Sequence, residues 1–301
     1  MDANELFGAI GSAVEMKDRV YGHLLATRGN KYKKWIRGIK ILKRLALWAE
    51  RWLVPLGLEY FRDARERLDM LEAVYTGLRP ADDITDGDAE LPGNIPADMY
   101  IVRLIVFVKT GGMPRDLVER LLAHAFYTGD KLGMNMREPV LKVLRSLLFD
   151  AKRRDSSTLQ ICDADEMEKN YDLCDIEGVV IGCLIAARES LEEWERIAPL
   201  ARAVRIGYNI EDLDAEMSKN LCNISREDVE KFNIFDPRDT HSHEVRKWKF
   251  TEAARGLILL ERYRWGIRTS TLHPITRLIL WLAFERPTEK SLDRILLGNF
   301  D

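Results

Sequence analysis

Cysteine is scarce in this 301-residue chain: there are four, Cys162, Cys174, Cys183 and Cys222, and no two form a CxxC pair. That spacing supplies neither a disulfide framework nor a zinc site, and it fits a reducing, cytoplasmic setting. Neither sign of charge is in excess. Forty-six basic residues face 49 acidic ones, a net charge of −3, which gives no support to a nucleic-acid binder. Long apolar runs are missing as well. The strongest, MYIVRLIVFVKTGG, is interrupted by Arg103 and is too short to cross a bilayer. The opening MDANELFGAIGSAVEMKD carries acids and lacks the basic region that precedes the apolar core of a signal peptide. No stretch alternates apolar and polar residues as a strand would, and there is no repeat, low-complexity tract or linker. There is no glycine-rich dinucleotide fingerprint; NADPH is not indicated, and that absence by itself does not decide whether a reductive step occurs.

What the chain does have is helical periodicity and enough apolar residues, 46%, to bury a sizeable core. The pattern predicts helices over 3–27, 31–53, 58–86, 97–111, 114–131, 136–153, 163–188, 190–219, 225–231, 240–268, 273–285 and 288–297. Breaks fall at TRGN, at Pro55 with Gly57, at LPGNIP, TGGMP, KLGMN and KNLCNIS. The expectation is an all-α chain, a single domain over 1–301 with N-terminal helices in 1–57.

Two helices concentrate acid. In RPADDITDGDAE, Asp82, Asp83, Asp86 and Asp88 fall within seven residues, close to the end of a long helix. A helix C-terminus already carries partial negative charge, so acids there are unfavourable unless solvated or offset by a cation. Asp82 and Asp86 are one turn apart and point the same way. In RIGYNIEDLDAEMSKN, Asp212 and Glu216 repeat that spacing, with Asn209 one turn before. Hard oxygens so placed suit Mg²⁺, which takes one or two carboxylates and completes its shell with water and phosphate. Two such helices facing each other across a bundle would hold a diphosphate and stabilise it as a leaving group. An acidic helix end that is merely solvated is the competing reading.

These residues resemble a family. YTGLRPADDITD is similar to the Y-x-F-C-R-x-x-D-D-x-x-D segment of the squalene and phytoene synthases, matching at Tyr75, Arg79, Asp82, Asp83 and Asp86. Asp212 and Glu216 fall on the two acids of the family's Q-x-x-N-x-x-R-D-x-x-x-D motif, and NISREDVEKFNI resembles its L-P-x-E-x-L-x-x-F-G-V. FDAKRRD and NYDLCDIEGVVIG are a looser echo of its middle segment. The resemblance covers about residues 60–285. It implies an isoprenoid-synthase-type helical bundle with a central active-site cavity. It also implies Mg²⁺-dependent, head-to-head condensation of prenyl diphosphates by ionisation of an allylic diphosphate. Asp82 and Asp86 would ligate metal with Asp83 in support, and Asn209, Asp212 and Glu216 would hold a second cluster. Arg79, Lys219 and Tyr75 would bind diphosphate, and Tyr171 would handle protons unless it is a core tyrosine. Arg153 and Arg154 would hold diphosphate or simply complement a helix end.

The second motif departs from the family. Arg205, Tyr208 and Glu211 stand where it has Gln, Asn and Arg, and Asn220-Leu221 where it has Gly-Arg. Asn209 replaces the lost Asn only if the helix register shifts by one. A terpene cyclase acting on one prenyl diphosphate, and a non-catalytic assembly relative, therefore remain as alternatives. Outside the motifs, Ser225 with Asp228 reads as a helix N-cap, and HSH at 241–243 as a polar helix start. KYKKWIRGIKILKRLALWAERWL places Lys33, Lys34, Arg37, Lys40, Lys43, Arg44 and Arg51 on one helix with Trp35, Trp48 and Trp52. It reads either as a core helix with a solvated basic face or as a peripheral membrane contact through residues 31–53.

Overall fold

The computed structural model describes residues 12–28, 30–89, 91, 95–154 and 158–298, without the side chains at 24, 27–35 and 37. Lys33, Lys34, Trp35 and Arg37 therefore lie outside the described side chains, as do the first residues of the helix expected at 3–27. The chain is all-α, 79% helical, and among the described residues there is no strand, only an isolated bridge between Gln160 and Leu221. No described helix is long and apolar enough to cross a membrane.

Contacts divide the chain into two compact units, 1–147 with 185–188, and 148–184 with 189–301. The sequence reading expects one domain because no linker is visible. None is required where the boundaries fall inside helices, as here within 137–154 and 181–187.

The first unit holds α1 (Ala13–Arg28), α2 (Asn30–Leu53), α3 (Ala64–Thr85), α4 (Ala97–Thr110), α5 (Leu117–Lys131) and the first part of α6 (Arg137–Arg154). Its principal pair is α3 against α5, with α1, α2 and α4 laid on α3. Met70 and Ala73 of α3 and Leu121, Leu122 and Ala125 of α5 are fully buried. Gly77 permits the close approach, since a Cβ there would stand 3.1 Å from Leu122 Cδ2. The periodicity predicts a helix from 58, but residues 59–61 form a 3₁₀ turn and Asp63 adopts φ 55° before α3 begins. Arg67 decides this: its guanidinium donates to the carbonyls of Tyr60 and Ala186, holding the incoming chain off the helix axis. At the other end, Gly87 at φ 76° turns the chain out of α3.

The second unit is built on α9 (Trp194–Glu211) packed along α12 (His243–Arg268), with α14 (Arg286–Leu296) against α12. Ala203, Ile206 and Ile210 meet Trp248, Ala253, Leu260 and Leu292 in its core. Around this lie α7 (Ala164–Tyr171), the first part of α8 (Ile181–Ala187), α10 (Leu213–Ser218), α11 (Arg226–Phe232) and α13 (Pro274–Leu280). Ser225 caps α11 by accepting from Asp228 N, as the sequence predicts, and Ser242 caps α12 by accepting from Val245 N.

Three further stretches differ from the predicted helices. Residues 163–188 are not one α-helix, because Asp172–Val180 is wound as a π-helix between α7 and α8. The helix at 190–219 is a 3₁₀ turn, then α9, then a hinge at Asp212 before α10. The break expected before 288 does not occur. A π turn at Trp281–Glu285 joins α13 to α14, and Pro287 follows directly after the change of winding.

Candidate functional site

The two acid clusters fall in different units. In the first, α3 carries two neighbouring stripes. Tyr75, Arg79, Asp82 and Asp86 follow one another at i, i+4, i+7 and i+11; Asp69, Glu72, Thr76 and Asp83 follow the next. The adjacent aspartates therefore have different surroundings. Asp83 is 1% exposed, and Arg79 Nη2 donates to its Oδ1 at 2.6 Å, with His23 Nε2 3.7 Å from Oδ2. Asp82 is only half-buried and takes Arg79 Nη1 at 2.5 Å. Asp86 caps the helix and is half-buried, its N–H donating to Asp82 O at 2.8 Å. Arg79, expected at a phosphate, is the fork between Asp82 and Asp83. Tyr75 is half-buried and close enough to Tyr21 for their hydroxyls to interact electrostatically.

The buried stripe leads into a cage of charge that the sequence reading missed. Lys17 Nζ of α1 lies 2.8 Å from Asp69 Oδ1 and 3.2 Å from Glu72 Oε2. Lys43 Nζ of α2 lies 2.8 Å from Asp69 Oδ1 and also pairs with Glu72 Oε2. Tyr21 OH donates to Glu72 at 2.6 Å, and His124 of α5 meets Asp69 Oδ2 at 2.9 Å. The signal was available: Asp69 and Glu72 are acids one turn apart on the face that buries Met70 and Ala73.

In the second unit, Asn209 stands in the last turn of α9, 8% exposed, and its Oδ1 is buried with no hydrogen-bond partner among the described residues. Asp212 follows at the hinge, exposed, and Glu216 N donates to Asp212 O at 2.9 Å, so helical bonding carries across. Glu216 is half-buried and accepts from Asn223 Nδ2. Removal from water pushes its carboxyl up to about 7. Arg205 opposes this, while Asp212 and Asp150 reinforce it. Lys219 closes α10, its N–H donating to Glu216 O at 2.9 Å.

Tyr171 ends α7, with the Arg205 guanidinium 5.0 Å from its ring centroid. Its hydroxyl is buried and finds no hydrogen-bond partner among the described residues. Burial raises its pKa against the pull of Arg205 and Arg153. Arg153 is itself buried, donating to Asp150 at 3.0 Å and to the Cys222 carbonyl, so it joins segments of the fold as well as completing a basic helix end. A cleft of about 280 Å³ lies here, lined by Tyr171, Asp172, Asp175, Arg205, Asn209 and Asn223 among others.

Two ion-pair forks at this cleft escaped the sequence reading. Arg202 Nε and Nη2 donate to Asp172 at 3.0 and 2.5 Å, and Arg205 Nε and Nη2 donate to Asp175 at 2.7 Å each. The equal spacing of R-x-x-R and D-x-x-D was the legible sign. The π-winding that presents both aspartates to α9 was not. Among the described residues, no group of three or more His, Cys, Asp or Glu side chains is arranged to hold a metal ion. The Asn209, Asp212, Glu216 set contains two acids and an amide. His241, next to the α12 cap, lies 3.6 Å from Asp214. No family model, curated protein or solved structure matches the chain.

Proposed function

We propose that the chain is a Mg²⁺-dependent transferase that ionises allylic prenyl diphosphates and condenses them head to head, in the manner of the squalene and phytoene synthases it resembles. The observation that carries this reading is the Asn209, Asp212, Glu216 set, in which a buried amide oxygen lacks a donor and a half-buried carboxylate lacks sufficient counter-charge. A cation bound by these oxygens would relieve both deficits at once. The donor set thus fits Mg²⁺. Asn209, Asp212 and Glu216 would hold an ion in the second unit; in the first unit, taken by itself, Asp82 and Asp86 would form a separate ligand pair with Asp83 in support. Bound there, the metal would neutralise the charge of a departing diphosphate.

The remaining roles belong to the chain. Arg79 fixes the orientation of Asp82 through its fork with Asp83. Asn223 orients Glu216. Lys219 and Tyr75 would donate to phosphate oxygens. Tyr171, with its hydroxyl unpartnered beside Arg205, would hold or pass a proton.

Cyclisation of a single prenyl diphosphate is the second reading, and a specific observation favours it. Two second-motif positions that differ from the family are turned to internal partners: Arg205 to Asp175, and Glu211 to Ser291 with Arg294 at 3.4 Å. Neither is placed to receive a second diphosphate. The test is incubation with labelled geranyl, farnesyl and geranylgeranyl diphosphates, with and without Mg²⁺. Metal-dependent diphosphate release with a doubled chain supports condensation, and a cyclic hydrocarbon or alcohol supports the second reading. Failure to release diphosphate from any of the three overturns both.

A further inference from the structure

Helix α2 leaves most of its described large apolar side chains on the outside. Its inward residues are Ile36, Ala46 and Ala49, and Lys43, which reaches Asp69 and Glu72. Its outward stripe is Ile41, Leu45, Trp48 and Trp52, at i, i+4, i+7 and i+11, each more than half exposed. Leu42 lies beside the stripe and Leu56 follows it, both exposed. Large apolar side chains contiguous on an exposed face mark a contact surface rather than a solvated one.

The charges beside the stripe say what it contacts. Lys40, Arg44 and Arg51 run along one flank, all exposed. Glu50 is the one acid of α2, and it faces α3, accepting from Arg65 N at 3.5 Å. A second copy of this surface would bring cations against cations. An anionic bilayer offers what the face lacks, with headgroup charge for the three basic residues and an interfacial zone for two indoles and two aliphatic side chains. We propose that α2 is a membrane-surface helix that inserts Ile41, Leu45, Trp48 and Trp52 into the interface of an anionic leaflet, with Lys40, Arg44 and Arg51 on the headgroups. Lys43 belongs to the internal cage and takes no part.

The test is co-sedimentation of the full chain with vesicles of equimolar phosphatidylglycerol and phosphatidylcholine, beside vesicles of phosphatidylcholine alone. The expected result is salt-sensitive binding to the anionic vesicles, accompanied by a blue shift of tryptophan emission. Trp48→Ser with Trp52→Ser should weaken binding about tenfold or more. Its thermal melt should match wild type, because both side chains are exposed. Should that variant fold poorly, Lys40→Gln with Arg44→Gln and Arg51→Gln serves instead, and it should lose the preference for anionic vesicles. No sedimentation at low salt overturns the proposal. So do equal binding to neutral vesicles, undiminished binding by both variants, or a solution dimer that the tryptophan variant dissolves.

Discussion

At Glu216, loss of water lifts the carboxyl to about 7, with Arg205 opposing and Asp212 and Asp150 adding to the rise. The folded state therefore keeps a proton that the unfolded state releases from about pH 4.5 upward. Stability falls as pH climbs from 4.5 to 7, and the penalty is complete above that window. Glu216→Gln should be more stable than wild type above pH 7 by on the order of 2 kcal/mol, and equal to it below pH 4.5, as read by urea unfolding. If Mg²⁺ supplies the missing counter-charge, its stabilisation of wild type should also grow across that window and shrink in the variant. The adjacent aspartates of α3 separate in the same way. Asp83→Asn disrupts a pair buried at 1% exposure and should cost about 2–4 kcal/mol. Asp82→Asn and Asp86→Asn involve half-buried groups and should each cost less than about 1 kcal/mol while abolishing diphosphate release. Melting curves measured beside turnover distinguish the two behaviours, and full activity in Asp82→Asn or Asp86→Asn would remove that residue from the metal site.

Among the elements, α1, α2, α3 and α5 are joined by the Lys17, Lys43, Asp69, Glu72 and His124 cage as well as by apolar contact. Burial alone would raise the Asp69 carboxyl, but hydrogen bonds from His124, Lys17 and Lys43 outweigh it and hold it well below the usual range. Glu72 is also lowered, by Lys43 and Tyr21, against its own burial. Depressed carboxylates contribute stability that is present above their ordinary values of 3.8 and 4.5 and is lost as pH falls below them. Lys17→Met leaves the cage with surplus buried negative charge and should cost about 3 kcal/mol at neutral pH. That loss should narrow in acid, where the carboxylates take up protons. Urea midpoints across the acid range check it, and a variant as stable as wild type at neutral pH would mean the cage contributes only geometry.

For the molecule as a whole, the proposed function couples metal to diphosphate. Phosphate oxygens complete a magnesium shell that one or two carboxylates leave open. Mg²⁺ and inorganic diphosphate together should therefore raise Tm by more than the sum of their separate effects. A ligand at 100 times its Kd adds about 2.7 kcal/mol, a rise of a few degrees for a chain of this size. Strictly additive shifts in differential scanning fluorimetry would argue against a shared site. The chain's division into two compact units makes a single two-state transition an assumption to be tested in the same scan.

Local chemistry made the all-α class and most helix ends legible, because periodicity, Gly87 and the cap at Ser225 act within a few residues. The same periodicity placed Asp82 with Asp86, and Asp212 with Glu216, one turn apart. What it left open is which face of a helix the rest of the fold covers. Asp83 is buried and Asp82 half-exposed although Arg79 pairs with both, and His23 of α1 stands beside Asp83 alone. The π-winding of 172–180 accompanies two arginine forks reaching across from α9, a pairing thirty residues distant in sequence. Lys43 turns inward and Trp48 outward on α2 because α3 presents Asp69 and Glu72 there. A buried Glu72 and a half-buried Asp69 need a counter-charge, and only the tertiary structure puts the Lys43 ammonium group within their reach.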